Sequence, residues 1–512
     1  MGERFFVYMQ VTRMQNTDKP VMRPIINRAP SLVTVFHELS ADMETPVSVF
    51  LKLKGKEPAF LLESVERGEQ VGRYSFIGAN PFLLFESKNG DVSVRGATVK
   101  DTDLNSSDKS DPLRVLSDLM ARYRGHSVKG LQGFNGGAVG YLSYDIVRNF
   151  EELPSPPRDE LSLPESSFMF ADTIVIFDHV QNKMMVVANA VIGEDAESAR
   201  RAAMTKIDEI IERLNRPLPA SDQPTYSSSA FDTTQPKTTS NFSKEGFETA
   251  VKAAKEYILA GDAFQVVLSQ RLQRSTPAPP FSIYLTLRRL NPSPYMFYLD
   301  FGKFQLIGSS PEMLVKLNGR QAETRPIAGT RPRGKNESED TVLKTELQSD
   351  SKERAEHLML VDLGRNDLGK VCNFKTVKVP ALMSVEKYSH VMHLVSSVTG
   401  EINNNEDAFS LMRACFPAGT VSGAPKVRAM QIIDELETVR RGPYAGAVGY
   451  FSFNGDMDTC ITIRSIVYKD GRVYFQSGAG IVADSEPERE YRETLSKLEA
   501  IQKAVSMAES GQ

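Results

Sequence analysis

The feature that most restricts the fold of this chain is a series of short, strand-like segments punctuated by glycine in its second half. Each segment is rich in β-branched or aromatic residues; the clearest read YMFYLDFG, FQLIGSS, YAGAVGYFSF, TCITIRSIVYK and GRVYFQSGAG. Short connections join antiparallel neighbours, whereas parallel strands need long crossovers. We therefore predict an α+β fold with large antiparallel or mixed sheets and helices on their faces, and not a doubly wound parallel sheet.

The first half of the chain mixes helices and strands and ends in a polar stretch. PVSVFLKL (residues 46–53), AFLLESV, ADTIVIFDHV and KMMVVANAVI are predicted strands, whereas DPLRVLSDLMARYRG and AESARRAAMTKIDEIIERLNR are predicted amphipathic helices. Residues 217–241 have the Pro, Ser and Thr content of an exposed linker. We predict an N-terminal extension (1–24), an α+β region (25–216), the linker (217–241) and a C-terminal region (242–512).

Charge and cysteine content narrow the classes of function. The 512 residues include 61 basic and 65 acidic side chains, a net charge of −4 without long runs of either sign, so no nucleic-acid partner is expected. Cys372, Cys415 and Cys460 are far apart in sequence, which argues against a disulfide framework. No stretch has the length and apolar character of a membrane span, and the N-terminus lacks a signal-peptide core. A soluble protein of the cytoplasm is expected.

Two pairs of glutamates have a spacing that suits a metal ion. Glu353 with Glu356, and Glu490 with Glu493, are three residues apart in predicted helices, so each pair lies on one helix face. Stacked like charges repel unless a cation compensates them, and Mg²⁺ takes carboxylate ligands together with substrate oxygens and water. Two such helices facing each other would form a magnesium site. A Glu-x-x-Glu pair taken alone is more often a solvated surface feature.

The surroundings of both pairs favour the metal site. Leu358, Val361 and their neighbours form a near-continuous apolar stretch beside the first pair, which predicts that its carboxylates lie at the edge of a cleft. Ahead of the second pair, Ser485 and Glu488 have capping-box spacing, and Pro487 falls in the first turn of the predicted helix.

Residues 417–426, PAGTVSGAPK, form a loop of small residues that leads into a predicted helix. Free backbone amides at a helix start attract an anion, and the hydroxyls of Thr420 and Ser422 would add to them. A tight strand-to-helix turn explains the same string equally well.

An arginine in a predicted strand gives a second sign of an anionic ligand. Arg464 lies among apolar and hydroxyl residues and needs a partner, either an internal Asp or Glu or a substrate carboxylate. Tyr444 lies beside two glycines, and Gly478 and Gly480 permit close approach of a ligand to the backbone. Together with the glutamate pairs, these features suit a ligand with two carboxylates.

The ordered motifs of the chain resemble those of the chorismate-utilising enzymes, and among them the first components of anthranilate synthases. The likeness extends from residues 61–64 to the helix after Glu493, nearly the whole chain. It is carried by LLES, NPSPYMF, IGSSPEM, ETRPIAGTRPRG, EHLMLVDLGRNDLGKV, HVMHLVSSV, FPAGTVSGAPK and GAGIVADSEPEREYRET. The resemblance implies that the sheets pack as a sandwich with helices on the outer faces.

The resemblance also implies a role for each candidate site residue. The implied metal ligands are Glu356 and Glu493 directly, with Glu353 and Glu490 acting through water, and the Mg²⁺ would hold the ring carboxylate of chorismate. The implied catalytic residues are Glu312, which protonates the departing C4 hydroxyl, His393, which assists the loss of pyruvate, and Thr420, which lines the ring pocket. The implied substrate-binding residues are Ala328, Gly329, Thr330, Thr420, Tyr444, Arg464, Gly478, Ala479 and Gly480. Of these, Tyr444, Arg464 and the Gly480 amide would hold the enolpyruvyl carboxylate.

Two positions indicate which nucleophile attacks the substrate. The isochorismate-forming relatives use a lysine base in the strand that here reads FQVVLSQ, but this chain has Gln265 at that position. Relatives with a nucleophilic lysine carry it in a Pro-Ile-Lys-Gly-Thr segment, where this chain has Ala328. With neither lysine present, the resemblance implies an external amine, and ammonia needs no base because its lone pair is free. The implied products are anthranilate and pyruvate.

A source of ammonia is then required. None of the three cysteines lies in a Gly-x-Cys-x-Gly elbow of the kind that glutaminase modules show. The expected partner is a separate glutamine amidotransferase subunit, in a heterotetramer with two copies of each chain.

The chain also resembles the family in its tryptophan feedback site. The residues concerned are Leu62, Glu63, Ser64, Asn291, Pro292, Ser293, Pro294, Tyr295 and Met296. Glu63 would pair with the ammonium group of tryptophan, and Tyr295 and Met296 would contact its indole. An ordinary strand with a polar end is the simpler interpretation of LLES, and some relatives hold tryptophan there as a structural ligand.

Two other functions fit parts of the pattern. An aminodeoxyisochorismate synthase would stop before the loss of pyruvate, a step that depends on the position of His393. A non-catalytic tryptophan-binding relative would keep LLES and NPSPYMF but lose the acidic ligands, which are all present here. Release of pyruvate distinguishes the first alternative from an anthranilate synthase.

Overall fold

The structure is a computed structural model that describes residues 32–65, 72–96, 111–131, 133–154, 156–193, 195–218, 237–388 and 391–511. The strands are β1 Leu32–Ser40, β2 Ala59–Glu63, β3 Tyr74–Ala79, β4 Leu83–Lys88, β5 Asp91–Gly96, β6 Gly137–Leu142, β7 Ser166–Ala171, β8 Thr173–Asp178, β9 Lys183–Val191, β10 Thr239–Ser240, β11 Gln265–Ser275, β12 Tyr295–Asp300, β13 Gln305–Ser310, β14 Met313–Asn318, β15 Gln321–Thr324, β16 Ile327–Pro332, β17 Lys378–Lys387, β18 Val391–Glu401, β19 Gly423–Ala424, β20 Ala447–Ser452, β21 Met457–Ile461, β22 Ser465–Lys469 and β23 Arg472–Ile481. The α-helices are α1 Pro46–Leu53, α2 Pro112–Met120, α3 Ala196–Leu214, α4 Lys244–Leu259, α5 Pro280–Leu290, α6 Glu337–Ser349, α7 Ser351–Gly369, α8 Ala408–Cys415, α9 Lys426–Leu436, α10 Pro487–Ser496 and α11 Glu499–Glu509. Short 3₁₀ helices lie at Tyr144–Asn149 and Gly419–Val421.

Two antiparallel sheets contain these strands. Sheet I has 12 strands in the order β1-β9-β8-β3-β2-β12-β13-β22-β23-β11-β10, with β19 paired to β11. Sheet II has 11 strands in the order β16-β18-β15-β14-β21-β20-β6-β7-β4-β5, with β17 paired to β18. Both sheets combine strands from before residue 217 and after residue 241. The division into regions stays a prediction, because the extension at 1–24 and most of the linker (219–236) lie outside the described residues.

The sheets pack face to face, which confirms the predicted α+β sandwich. Apolar side chains of both sheets meet in one buried cluster, exemplified by Phe60 and Phe297 from sheet I and by Val139 and Tyr141 from sheet II. Helices α1, α3, α5 and α11 cover the outer face of sheet I, and α2, α7 and α8 pack against sheet II. Each sheet therefore buries both faces, as its long apolar strands require.

One predicted strand, PVSVFLKL, is wrong, because these residues form helix α1. Thr45 caps the helix by accepting a hydrogen bond from the Ser48 amide, and the Ser48 side chain accepts from the Thr45 amide. Pro46 occupies the first turn, and Val49, Phe50 and Leu53 are buried on one face. A capping box followed by proline outweighed the β propensity of the two valines.

Other local expectations have mixed outcomes. Helix α4 ends before Gly261, whose φ of +86° is the left-handed conformation predicted for that position. Helix α10 begins at Pro487 as expected, but its N-cap is Glu486 and carries no capping box, since Ser485 Oγ instead accepts from the Val482 amide.

Cys372, Cys415 and Cys460 are unpaired. Within the described ranges, no helix has the length and apolar character needed to span a membrane.

Candidate active site

Two places where the chain crosses from one sheet to the other lie side by side at one end of the sandwich. Glu312 lies between β13 of sheet I and β14 of sheet II, and Arg464 lies between β21 of sheet II and β22 of sheet I. The Ile461 amide donates to the Glu312 carbonyl at 3.0 Å, and the Ser309 amide donates to the Arg464 carbonyl at 3.1 Å. The prediction that Arg464 lies within one strand, TCITIRSIVYK, is therefore wrong.

These crossings border a cavity of about 240 Å³, named here the front cavity. Its lining includes ten of the predicted site residues: Glu312, Ala328, Thr330, Glu356, His393, Thr420, Tyr444, Arg464, Gly478 and Gly480. Residues far apart in sequence thus converge on one volume. Gly329, Ala479, Glu353, Glu490 and Glu493 do not line it.

Glu312 is an acid without a cationic partner. Its side chain is buried, and no residue of the described chain forms an ion pair with it. Burial raises its pKa to about 8, against opposing effects of the Thr420 hydroxyl and the Lys497 ammonium. The carboxyl group therefore holds its proton at neutral pH, as a general acid must.

Arg464 presents the opposite case, a partly buried cation without an acidic partner among the described residues. Its guanidinium donates to the Lys497 carbonyl, and in the described structure it makes no ion pair. Burial lowers its pKa, while the nearby Tyr444 opposes that effect. Its φ of +53° is unusual for a residue other than glycine and reflects the sharp turn between the sheets. A carboxylate ligand would supply the missing charge.

His393 is held as a neutral imidazole. Its Nδ1 lies 3.1 Å from the Gly329 carbonyl and 3.1 Å from Thr330 Oγ1. Because a carbonyl can only accept, Nδ1 carries the proton and Nε2 is left as an acceptor. Burial lowers the pKa of His393, and Arg464 lowers it further, against the opposing effect of the Gly329 carbonyl. The arrangement suits a general base.

Gly329 acts through its backbone, which explains its absence from the cavity lining. It lies in a bulge of β16 opposite β18, with a φ of +66°, and a Cβ there would lie 3.0 Å from a Leu347 methyl group. This conformation directs its carbonyl toward His393.

The glycines of β23 let polar groups approach the backbone. A Cβ at Gly478 would lie 2.9 Å from the Tyr444 hydroxyl, and one at Gly480 would lie 2.6 Å from Gln265 Nε2. Between them, the Ala479 side chain packs in the apolar cluster on the other face of the strand, so its side chain does not reach the cavity. This alternation follows from the two-residue period of a strand.

The glutamate pairs lie on α7 and α10, as predicted. Glu353 and Glu493 both raise the pKa of Glu356, after the larger effect of burial, and Glu493 likewise raises that of Glu490. Glu353 pairs with Arg331 at 3.2 Å and Glu493 with Lys497 at 2.8 Å. Among the described residues, no group of three or more His, Cys, Asp or Glu side chains converges as a metal site would.

The apolar surroundings predicted for the pair Glu353 and Glu356 are only partly present. Val361 is buried, but Leu358 is 46% exposed. Glu356 itself is turned inward, where Gln265 Nε2 donates to its Oε1 at 3.3 Å.

Sequence reasoning missed Lys497, which lines the front cavity. Its ammonium donates to the Gly478 carbonyl at 2.9 Å and pairs with Glu493 at 2.8 Å. The signal in the sequence was its position four residues after Glu493, the spacing of an intrahelical ion pair. Gln476 and Leu360 also line the cavity and were not predicted.

A second cavity, of about 440 Å³, lies between the sheets and includes most of the predicted tryptophan site. Leu62, Glu63 and Ser64 meet Pro294, Tyr295 and Met296 there because β2 pairs with β12, with Glu63 opposite Met296. Asn291, Pro292 and Ser293 do not line it. Two of these three residues make hydrogen bonds next to the cavity. The Asn291 side chain donates to Ser309 Oγ, and the Ser293 carbonyl accepts from the Val65 amide.

Two carboxylates that line this second cavity, Glu63 and Asp458, are paired with cations of the protein. Glu63 accepts two hydrogen bonds from Arg288, at 2.8 and 3.0 Å, and one from the Tyr284 hydroxyl. Asp458 pairs with Lys316 at 3.1 Å and accepts from the Tyr295 hydroxyl at 3.0 Å. The predicted partner for a ligand ammonium, Glu63, thus already has an internal cation.

The comparisons with known proteins agree with this geometry. Residues 57–503 match the chorismate binding enzyme family. The chain belongs to the chorismate-binding enzymes. Anthranilate synthase component 1 of Acetivibrio thermocellus is 49% identical over 93% of this chain and 96% of its own length, and that of Aquifex aeolicus is 46% identical over 94% and 96%. The crystal structure of anthranilate synthase component I from Streptococcus pneumoniae has a TM-score of 0.74 at 36% identity and covers 90% of this chain and 99% of its own. The chain is thus a chorismate-binding enzyme whose similar relatives bear the name anthranilate synthase component 1.

Proposed function

We propose that this chorismate-binding enzyme is the aminating component of an anthranilate synthase in tryptophan biosynthesis. The observation that carries the proposal is the charge pattern of the front cavity. Glu312 is protonated there, Arg464 makes no ion pair with a described acid, and the described lining offers no free amine that could act as the nucleophile. Lys497 supplies the only amine among the described residues that line it, and Glu493 and the Gly478 carbonyl hold that amine. The nucleophile is therefore external ammonia.

In the first step, Arg464 and the Tyr444 hydroxyl hold the enolpyruvyl carboxylate of chorismate, and Gly478 and Gly480 give it access to the backbone. Glu312 donates its proton to the C4 hydroxyl, which leaves as water while ammonia bonds to C2. A carboxyl with a pKa of about 8 is still protonated at neutral pH and is a strong enough acid to donate.

In the second step, pyruvate leaves and the ring becomes aromatic. Nε2 of His393 is free to take the proton from C2, because Nδ1 donates to the Gly329 carbonyl. The C3–O bond then breaks, and the enolpyruvate that leaves takes up a proton at its methylene carbon to become pyruvate. An enzyme that stops after the first step would release the amino intermediate instead, so pyruvate is the product that distinguishes the two functions.

The donor set around α7 and α10 fits Mg²⁺. Its donors are carboxylate oxygens, the ligands that this ion prefers, and Glu353 and Glu493 both raise the pKa of Glu356, a repulsion that a divalent cation would relieve. Glu356 and Glu493 would hold the ion, with Glu353 and Glu490 in support. When bound, Mg²⁺ would neutralise the ring carboxylate of chorismate.

The same proposal includes a partner and a regulator. Ammonia comes from a glutamine amidotransferase subunit, in line with the relatives' designation as component 1. Tryptophan binds in the second cavity, against Tyr295 and Met296, and inhibits the enzyme. A cytoplasmic heterotetramer is the expected setting.

Incubation of the isolated chain with chorismate, Mg²⁺ and excess ammonium tests the proposal. Anthranilate fluorescence and pyruvate should appear together and in equal amounts. Consumption of chorismate without pyruvate would support the aminodeoxyisochorismate synthase alternative. A failure to consume chorismate, with or without a glutaminase partner, would contradict the proposal.

Glu493→Gln tests the metal site, since it removes one charge with little change in size. We expect loss of turnover and weaker Mg²⁺ binding by calorimetry, with an unchanged circular dichroism spectrum. Glu488→Gln on the exposed side of the same helix is the matched control. Retained activity at limiting Mg²⁺ would refute the assignment.

A further inference from the structure

A third, smaller cavity of about 50 Å³ lies behind Glu312, on the side away from the front cavity. It is named here the rear cavity, and its lining includes Thr324, Gly364, Asp367, Cys415 and Gly419. Glu312, Leu360 and Thr420 line both cavities and form the wall between them. Its volume has room for about three water molecules.

Two buried hydroxyl groups lie at the rear cavity, and one of them lacks a partner in the described chain. Thr324 Oγ1 makes no hydrogen bond to another described group, whereas Thr420 Oγ1 faces the Glu312 carboxyl, whose pKa it lowers. Thr324 is 7% exposed, so bulk solvent does not satisfy its hydroxyl. A buried hydroxyl without a partner is unfavourable, and ordered water is the usual solution where space permits.

The volume of the rear cavity depends on two glycines in its lining, Gly364 and Gly419. A Cβ at Gly364 would lie 3.0 Å from Thr324 Oγ1, and one at Gly419 would lie 1.8 Å from a Leu363 methyl group. Larger residues at these positions would crowd the rear cavity or displace its wall.

The other polar groups of the rear cavity are poor proton donors. Asp367 is held in ion pairs with Lys426 at 2.8 Å and with Lys370 at 3.1 Å. Burial holds the pKa of the Cys415 thiol far above its ordinary value. A proton that reaches Glu312 from this side must come through water.

We propose that the rear cavity holds a short chain of water molecules, bound by Thr324 and Thr420, that returns a proton to Glu312 after each amination. The inference rests on the proposed role of Glu312 as general acid. When the C4–O bond breaks, the oxygen leaves as water with the proton of Glu312, and the C2–N bond forms. The carboxylate then takes a proton from the adjacent water, which is replenished from solvent, while the new amine releases one proton to solvent. The front cavity is still filled by the intermediate at that moment, so the rear route restores the acid before the products leave.

The route predicts a specific kinetic signature for Thr324→Val, which keeps the shape of the side chain and removes its hydroxyl. The first turnover uses a proton already on Glu312, so we expect a rapid burst of one equivalent of anthranilate at the wild-type rate. Later turnovers should be about tenfold slower. Gly364→Ala, which narrows the rear cavity, should act in the same direction. Stopped-flow fluorescence measures both phases.

Thr459→Val is the matched control, because that hydroxyl is also buried in sheet II but donates to the Val315 carbonyl at 2.9 Å and lines neither cavity. It should behave as wild type in both phases. Equal slowing of the first and later turnovers in Thr324→Val, or no slowing, would overturn the proposal. So would a high-resolution crystal structure with no water bonded to Thr324, whatever the activity. Full activity of Glu312→Gln would instead refute the proposed function of that residue.

Discussion

The front and second cavities both contain a buried glutamate, but the two glutamates differ in whether a neighbouring cation balances their charge. Glu63 at the second cavity accepts hydrogen bonds from Arg288 and Tyr284, so its charge is balanced within the protein. Glu312 at the front cavity makes no ion pair with a described residue, and burial raises its pKa to about 8 despite the opposing effect of the Lys497 ammonium. Arg464, also at the front cavity, makes no ion pair with an acid of the described chain.

This difference indicates what each cavity takes from its ligand. Unpaired buried charges are unfavourable unless a ligand completes them, so the front cavity is built for a ligand that brings its own carboxylate. In the second cavity, Glu63 and Asp458 have cationic partners within the protein before anything binds. A ligand there would therefore be held mainly by apolar walls and by the shape of the space between the sheets.

Glu312→Gln should produce the largest effect. It keeps the size of the side chain but removes the proton that the leaving hydroxyl needs, so kcat should fall about 100- to 10 000-fold with KM nearly unchanged. In the unfolded wild type, the Glu312 carboxyl ionises above its ordinary pKa of 4.5, whereas in the folded protein its pKa is about 8. The wild type should therefore lose stability as the pH rises from 4.5 to about 8, because ionisation favours the unfolded state. The variant should lack that decline in chemical denaturation. A loss of kcat smaller than about tenfold would contradict the role.

Arg464→Gln tests whether the unpaired cation awaits a carboxylate. We expect KM for chorismate to rise about 10- to 100-fold, the range for loss of a charge-assisted hydrogen bond. Arg288→Gln is the control, since Arg288 already has Glu63 as its partner. That variant should leave KM unchanged and lower thermal stability. Similar KM values for the two variants would remove the distinction between the cavities.

Ser64→Phe addresses the shape of the second cavity. Ser64 lies against Gly72, where an added Cβ would lie 2.0 Å from the Ser64 hydroxyl, so a larger side chain has to project into the cavity. Tryptophan should then inhibit at about tenfold higher concentration or not at all, with an unchanged uninhibited rate. Inhibition curves with and without the substitution measure this. Unaltered sensitivity would place the regulatory site elsewhere.

Glu63→Gln should have the smallest effect on the reaction and a visible effect on stability. Arg288 loses its counter-charge, but it is partly exposed, so we expect the free energy of unfolding to fall by about 1 to 3 kcal/mol. Urea titration measures this change. A large change in kcat without a change in stability would mean that Glu63 serves the reaction.

The elements that depend on local pattern could be predicted, and those that depend on the meeting of the two sheets could not. The amphipathic pattern of α3 and the glutamate spacing on α7 and α10 are visible in a short window of sequence. Residues 459–468 look like one strand because every side chain is small, β-branched, aromatic or apolar apart from Arg464. Only the structure reveals that the chain changes sheets there.

Partners in space are similarly hidden. Glu63 and Arg288 are 225 positions apart, so no local signal predicts that the carboxylate is already paired. Lys497 was missed because an i, i+4 pair with Glu493 is typical of an ordinary helix surface. The family resemblance suggested the catalytic residues proposed here, but the protonation of Glu312 follows from burial, which only the fold determines.

The most direct test of the account is the protonation state of Glu312 in the absence of substrate. Infrared difference spectra between the wild type and Glu312→Gln would be recorded at increasing pH. We predict a carbonyl band of a protonated carboxyl at neutral pH that is replaced by carboxylate bands near pH 8. Carboxylate bands already present at neutral pH would contradict the claim that the front cavity leaves this acid unpaired and protonated.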